Sequence, residues 1–252
     1  MSPTIDKRRA KLADYVPWIA RDYLTNQGPS TAIIIVLLAL FEAQMFHVGT
    51  GTRLADMPLD IAARLLRGLV SVLAFLGTFF ATNGIVSNDR KAGYYRFLFA
   101  KPVSPPWYYA TVFGVYGIGL LTVVLVLLGV WAIAVRPLFP LEIFGAVLVL
   151  YLAYGGIGFL LSAAWRFDWL SLVTVLLVAR LLWTLWGNAT GIRHWLLYLL
   201  PPIHRADNVA DIVMRGAQTP VPWSLIAWLG GYGLVCFVLG LVVLRKRPLG
   251  TS

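Results

Sequence analysis

The sequence predicts an all-α membrane protein that crosses the bilayer with six transmembrane helices. Of its 252 residues, 59% are hydrophobic and only 13% are charged, whereas soluble domains are about 45–50% apolar and about 25% charged. The apolar residues also fall into blocks close to the roughly 20 residues that a spanning helix needs. Helices are predicted because lipid leaves open backbone groups unsatisfied, and because the alternating pattern typical of a membrane barrel is missing from the sequence. Six blocks qualify, at about 30–48, 66–87, 107–135, 141–165, 169–188 and 223–244.

Residues 1–28 precede the first block and are too polar to be part of it. They predict a cytoplasmic tail followed by an interfacial helix, since apolar and aromatic side chains recur on one helical face. That face comprises Leu12, Tyr15, Val16, Ile19 and Tyr23. The dipeptide Gly28-Pro29 is expected to end this helix and turn the chain into the membrane. A solvated, partly disordered tail is the alternative, and residues 29–252 make up the predicted transmembrane domain.

The charge distribution predicts the orientation. The formal net charge of +10 fits the excess of Lys and Arg in the cytoplasmic loops of membrane proteins better than it fits a nucleic-acid partner. If the N terminus is cytoplasmic, thirteen of the 21 Lys and Arg residues fall in inner segments and seven in outer ones, with Arg180 inside a span. Both termini are therefore predicted to be cytoplasmic, as an even number of spans requires.

A short basic segment at about 87–106 separates the second and third blocks. This segment resembles the cytoplasmic loop of ABC-2-type transporter permeases, which usually reads Glu-Arg-x-x-Gly, then one or two helical turns, then Pro-Val-Ser. Here Arg90 and Gly93 match the first part, Asp89 stands in the place of its Glu, and Pro102 begins the last part. The match departs from the family at Asp89, where Glu is usual, and at residues 94–96, where a Thr-Leu-Glu type of sequence is preferred.

The resemblance implies that this segment is a coupling loop whose short helix docks on a separate ATPase subunit. It also implies an amphipathic connecting helix before the first span, and two permease subunits, as a homodimer or heterodimer, joined to two ATPase subunits in a bacterial inner membrane. ATP and Mg would be bound by the ATPase partner, so this chain would be the permease of an exporter and not itself an enzyme. The coupling residues would be Asp89, Arg90, Gly93, Arg96, Phe97, Leu98, Lys101 and Pro102.

The stretch at about 189–222 differs from the other loops. Residues 195–200 are apolar but too few to span a bilayer, and Pro201-Pro202 interrupts them. Residues 203–216 then follow the pattern of a short amphipathic helix. Two short apolar pieces around a break predict a re-entrant or surface-lying hairpin on the outer side, which the permease resemblance also implies.

The sequence offers little chemistry of its own. It has no phosphate-binding loop and no paired-histidine motif, and it has no nucleophile beside a base. His47, His194 and His204 are scattered, which leaves a metal or haem site across subunits as a minor alternative. No catalytic residue, metal ligand or bound cofactor is predicted for this chain. The single Cys236 excludes an internal disulfide, and the glycine run at 155–158 predicts close helix packing.

Two ionisable residues lie deep in apolar blocks, Glu42 in the first and Arg180 in the fifth. Each is about twelve residues from the predicted cytoplasmic start of its span, which is about 18 Å and near the middle of the bilayer. Because a charge at that depth is costly, it needs a partner or a polar cavity. We therefore expect either a structural pair, within one subunit or across a dimer, or a polar substrate path. A neutral Glu42 near the outer edge is a third interpretation.

Three functional classes compete at this point. The permease resemblance favours an exporter that moves a substrate out of the cytoplasm or the inner leaflet. The alternative is a non-transporting membrane scaffold or assembly factor with a permease-like fold. A secondary transporter or channel is less favoured, because the sequence lacks paired interrupted helices in two repeated halves. Lipids, hydrophobic drugs, peptides and polysaccharides all stay open as substrates.

Overall fold

The computed structural model describes residues 14–50, 56–82, 85–87, 89, 104–135, 141–164, 168–188, 190–202, 205–206, 209 and 223–246. Across these residues the regular elements are all helices, which confirms the predicted all-α class. In chain order they are α1 (Val16–Asp22), a π-helical segment (Tyr23–Gln27), α2 (Gly28–Thr50), α3 (Leu59–Thr82), α4 (Pro105–Ala134), α5 (Glu142–Ala164), α6 (Asp168–Trp186), α7 (Ile192–Tyr198) and α8 (Trp223–Lys246).

Five helical stretches are long and apolar enough to cross a membrane, so a multi-pass membrane protein is confirmed. Six spans are not confirmed on these grounds, because the fifth predicted block, at about 169–188, is not among the five stretches. Helix α6 lies at this block and has 19 residues, which makes it about 28 Å long at 1.5 Å per residue. The five stretches are Val16–Glu42, Leu59–Thr82, Pro105–Ala134, Glu142–Ala164 and Trp223–Lys246.

The first helix does not end at Gly28-Pro29, contrary to the sequence prediction. Residues 16–50 form one continuous helix, interrupted only by the wider turns of the π-helical segment. At the end of that segment the N–H of Gly28 donates to the carbonyl of Tyr23, five residues back. Pro29 has no N–H to donate and crowds the preceding turn. Single π-helical turns occur within otherwise continuous α-helices, as this one does before Pro29.

Helix α5 is the centre of the bundle and contacts α3, α4, α6 and α8. Its closest neighbour is α8, because two glycines let the backbones approach. A Cβ atom on Gly156 would overlap the carbonyl of Gly233, and a Cβ atom on Gly233 would overlap the carbonyl of Leu152. Further along both helices, the rings of Phe159 and Phe237 lie 4.9 Å apart. This order of contacts shows that α5 and α8 run in the same direction, and it confirms the close packing predicted for the glycine run.

Helix α3 also runs parallel to α5, whereas α6 runs antiparallel to it. Phe75 of α3 meets Tyr154 with ring centroids 5.4 Å apart, and Thr82 lies further along, against Gly158. On the other side of α5, Leu172 near the start of α6 faces Gly158. Arg180, two turns later in α6, lines a pocket together with Leu150, which is nearer the start of α5.

The bundle therefore has two distinct ends. We call the end that holds the last turn of α3, the first turn of α4 and the last turn of α8 the loop end. The opposite end, where α7 lies, is the hairpin end. There the hydroxyl of Tyr232 donates to the carbonyl of Leu199 over 2.9 Å, and the guanidinium of Arg205 lies 5.3 Å from the ring of Trp228. Residues 207–208 and 210–222 lie outside the described residues, so the re-entrant hairpin stays a prediction.

Candidate functional site

The predicted coupling loop is described only where it joins the bundle. Of the eight residues assigned to it, Asp89 is described. The other seven, which lie outside the described residues, are Arg90, Gly93, Arg96, Phe97, Leu98, Lys101 and Pro102. The structure therefore defines how the two sides of the loop are held, at residues 85–89 and from Ser104 onward.

The first side of the loop is fixed to the central helix. The backbone N–H groups of Val86 and Ser87 both donate to the hydroxyl oxygen of Ser162 on α5, over 3.2 and 3.4 Å. Val86 and Ser87 are almost completely buried, with 0% and 1% of their surface exposed. A segment that follows α3 is thereby tied to the helix that contacts four others, and it has little room to move on its own.

The second side of the loop is fixed by the start of α4. Ser104 has extended backbone angles, and prolines fill the first helical positions, where the missing N–H costs nothing. Four residues into this helix, the hydroxyl of Tyr109 donates to a carboxylate oxygen of Asp89 over 3.0 Å. Because Tyr109 is itself fully buried, this contact links the two sides of the loop through a rigid side chain.

A second carboxylate faces the same region from the N-terminal helix. Asp22, the last residue of α1, accepts a hydrogen bond from the hydroxyl of Tyr116 over 2.9 Å and one from the side-chain amide of Asn26 over 2.7 Å. Each carboxylate is thus held by a tyrosine of α4. We call Asp22, Asp89, Tyr108, Tyr109 and Tyr116 the aspartate–tyrosine cluster.

Ring packing brings the N-terminal helix and α4 together around this cluster. Tyr15 meets Tyr108 edge-on at 6.1 Å, and Tyr23 lies 5.2 Å from Tyr116. The ring of Tyr23 rests where a side chain at Gly119 would otherwise stand. Helix α1 is consequently packed along the first turns of α4, where Ile19 and Tyr23 are buried against protein, whereas Trp18 is 56% exposed.

The electrostatics of the cluster centre on Asp89. The pKa of its carboxyl is raised from 3.8 to about 6, mainly by burial and also by the negative charge of Asp22, while the hydrogen bond from Tyr109 acts in the opposite direction. The carboxyl of Asp89 therefore gains or loses its proton at a pH close to the physiological range. Loss of this proton adds a negative charge beside Asp22 and strengthens the hydrogen bond that Asp89 accepts from Tyr109. In the described part of the chain, three or more His, Cys, Asp or Glu side chains do not gather as metal ligands.

The sequence pointed to Asp89 through the permease resemblance but did not identify its partners. Asp22 and the three tyrosines lie 19 to 67 positions away from it, and their proximity is a property of the fold. One local signal existed. Tyr109 and Tyr116 are spaced by seven residues, which is two helical turns, so they project from one face of α4.

The two deep charges, Glu42 and Arg180, are not brought together within one subunit. Glu42 lies on α2, which packs mainly against α3 and α4, whereas α6 with Arg180 packs against α5 and α7. One carboxylate oxygen of Glu42 is buried without a hydrogen-bond partner among the described residues. Arg180 lines a pocket between α3, α5 and α6. A pair across two subunits and a role on a substrate path both stay predictions.

The fold defines the chain as a multi-pass α-helical membrane protein. In comparisons with known proteins, no family model and no curated protein matches the chain. The resemblance to ABC-2-type permeases therefore depends on the residues of the loop and on the order of the helices.

Proposed function

We propose that this protein is the transmembrane permease subunit of an ATP-binding cassette exporter. The observation that carries the proposal is that the described residues on the two sides of the predicted coupling loop are held to the bundle by buried or partly buried contacts. Val86 and Ser87 are tied to α5, and Asp89 is tied to Tyr109 of α4. A closely packed interior transmits a displacement instead of absorbing it. A partner that moves this loop would therefore move the centre of the bundle.

The helix directions support a six-span topology. Because α5 and α8 are parallel, the chain must return from the loop end to the hairpin end between them. Helix α6 runs antiparallel along α5, and Trp183 in its last turn meets Trp228 in the second turn of α8 with ring centroids 6.4 Å apart. An α6 of about 28 Å is close to the roughly 30 Å of bilayer hydrocarbon. With α6 as a span, both chain termini lie on one side.

Basic residues favour the cytoplasm for that side. Arg245 and Lys246 are exposed in the last turn of α8, at the loop end. The predicted coupling loop adds four more cations at the same end. The excess of Lys and Arg on the cytoplasmic side of membrane proteins favours a cytoplasmic location for this end, where an ATPase subunit can reach it.

In the proposed complex two permease subunits pair with two ATPase subunits. ATP and Mg are held by the ATPases, and the permeases move a substrate out of the cytoplasm or the inner leaflet. Phe97 and Leu98 fill a groove on the ATPase, with Arg90 and Arg96 at its rim. Apolar anchors at the centre of an interface contribute about 2 kcal/mol or more each.

The test is copurification with the ATPase encoded nearest to this gene, followed by transport in reconstituted vesicles. The variant carries Phe97→Asp and Leu98→Asp. We expect it to insert normally, to bind the ATPase roughly 700-fold more weakly, since two anchors of about 2 kcal/mol each are lost, and to lose transport. The matched control carries Ile192→Asp and Trp195→Asp, two residues with 78% and 74% exposure at the hairpin end, and it should keep the ATPase.

Two outcomes would contradict the proposal. Unchanged copurification and transport in the loop variant would show that the segment is not a coupling loop. Normal ATPase binding by the unaltered protein with no ATP-driven transport would identify a scaffold or assembly factor instead.

A further inference from the structure

A pocket of about 380 Å³ lies in the side of the bundle between α3, α5 and α6. Its walls are mainly apolar and aromatic, including Phe75 of α3, Tyr154 of α5 and Leu176 of α6. Ala206, which is buried, closes it towards the hairpin end. Ligand pockets in proteins have this character, with volumes of about 300–1,000 Å³, apolar walls and a few polar groups that orient the ligand.

Among the described residues that line this pocket, one carries a charged side chain, Arg180. Arg180 stands six residues before the end of α6, which is about 9 Å below that end and inside the hydrocarbon layer when α6 spans the membrane. In the described part of the chain no carboxylate pairs with it. A cation at this depth is expensive unless an anion or a water-filled cavity accompanies it. The guanidinium group binds carboxylates and phosphates with two parallel hydrogen bonds.

The pocket opens onto the outside of the bundle, which is a surface that faces lipid when α3 and α6 span the membrane. Val72 and Leu177 line it and are 38% and 63% exposed, and exposed apolar side chains on a membrane helix contact acyl chains. A ligand can therefore arrive from within the bilayer. Such a ligand needs an apolar chain to partition there and an acidic group to pair with Arg180. The volume is near the lower limit for ligand pockets, which favours one alkyl chain over the two of a phospholipid.

We propose that this pocket binds a single-chain acidic amphiphile. The acidic group, a carboxylate or a phosphate, pairs with Arg180, and the alkyl chain lies between α3 and α6 along Phe75 and Leu176. The site is independent of the proposed exporter function, because it requires only the folded bundle in a membrane or detergent.

The experiment measures binding of three probes with the same chain to the purified full-length protein in a non-ionic detergent. Oleate and oleyl phosphate are acidic, and oleyl alcohol is neutral. We expect both acids to bind at least about tenfold more tightly than the alcohol, as a charge-assisted pair of hydrogen bonds should provide. Arg180→Gln should reduce the affinity for both acids to that for the alcohol and leave alcohol binding unchanged. Dioleoylphosphatidylglycerol is included to test a two-chain lipid, and it should compete weakly.

Three variants make the result specific. Arg64→Gln removes an exposed arginine of α3 that does not line the pocket, and it should leave all affinities unchanged. Leu176→Trp fills the pocket and should weaken the acids and the alcohol alike. Asp207→Asn alters a carboxylate that follows Ala206 in the sequence, and it should not change acid binding.

Several results would overturn the proposal. Equal affinities of the unaltered protein for oleate and oleyl alcohol would remove the role of charge, and this comparison does not need any variant to fold. Acid binding that survives both Arg180→Gln and Leu176→Trp would place the ligand elsewhere. Acid binding that increases at least about tenfold in Asp207→Asn would show that Arg180 is already neutralised within the chain. A phospholipid that outcompetes oleate would replace the single-chain ligand by a bilayer lipid.

Discussion

Replacing Asp89 with Asn should stabilise the folded protein at neutral pH and flatten the dependence of its stability on pH. Burial raises the pKa of the Asp89 carboxyl from 3.8 to about 6. The folded protein thus holds a proton on Asp89 more tightly than the unfolded chain does. The stability that this carboxyl contributes is fully present below about pH 4 and is lost as the pH rises through about 6.

The size of the effect follows from the same two values. The gap between 3.8 and about 6 corresponds to roughly 3 kcal/mol, at 1.36 kcal/mol for each pKa unit. Asp89 is partly exposed, so screening by solvent reduces this to on the order of 1–2 kcal/mol. Asparagine keeps an oxygen that can accept the hydrogen bond from Tyr109. The substitution therefore removes the buried charge without leaving the tyrosine hydroxyl unsatisfied.

The assay is thermal unfolding in detergent at pH 5, 6, 7 and 8. The unaltered protein should lose stability between pH 5 and 7, and Asp89→Asn should lose less. Asp22→Asn removes the neighbouring negative charge, so the pKa of Asp89 should fall and the loss should shift to lower pH. Asp56→Asn changes an exposed carboxylate at the hairpin end and serves as the control. An unchanged pH profile in Asp89→Asn, or a variant that is less stable than the unaltered protein at pH 7, would refute the reasoning.

Two further predictions concern helix packing and orientation. Gly233→Leu should destabilise the protein by about 1–3 kcal/mol or prevent folding, because any side chain there meets the backbone of α5, whereas Gly231→Leu points into open space and should be nearly neutral in the same melting assay. In a Cys236→Ser background, a cysteine at Asn208 should react with a membrane-impermeant reagent in intact cells. One at Lys246, which is exposed at the loop end, should react only after permeabilisation, and the opposite pattern would reverse the orientation.

The sequence predicted the helices well because burial in lipid demands long apolar blocks, but it misplaced where some begin and end. The second block was predicted to start near residue 66, whereas α3 starts at Leu59. Arg64 and Arg67 interrupt the run of apolar residues, so the first two turns of α3 were left out of the predicted span. In the structure Ala62 and Leu66 are buried, so these turns are amphipathic. The arginines occupy the other face, where they do not interrupt the helix.

The candidate site was predictable only in part. Asp89 stood out because it belongs to a short charged segment between two apolar blocks. Its proximity to Tyr109 and to the Asp22 region depends on how α1, α4 and the loop pack together. A single sequence does not indicate which of such distant residues are in contact. The same limit applies to the close approach of α5 and α8. The glycines at 155–158 predicted close packing, but not that Gly233 is the partner.

A double-mutant cycle on Glu42 and Arg180 decides between a shared role and separate roles for the two deep charges. A pair across two subunits would make the double variant Glu42→Gln with Arg180→Met more stable than the sum of the single losses, by about 0.5–3 kcal/mol, because each single change leaves an uncompensated charge. Separate roles would make the losses add within about 0.5 kcal/mol. We expect additivity in thermal melting in detergent, since the two helices pack on different neighbours and Arg180 faces its own pocket. A clear recovery in the double variant would instead assign Arg180 to a second copy of the chain and leave the pocket without its anion-binding group.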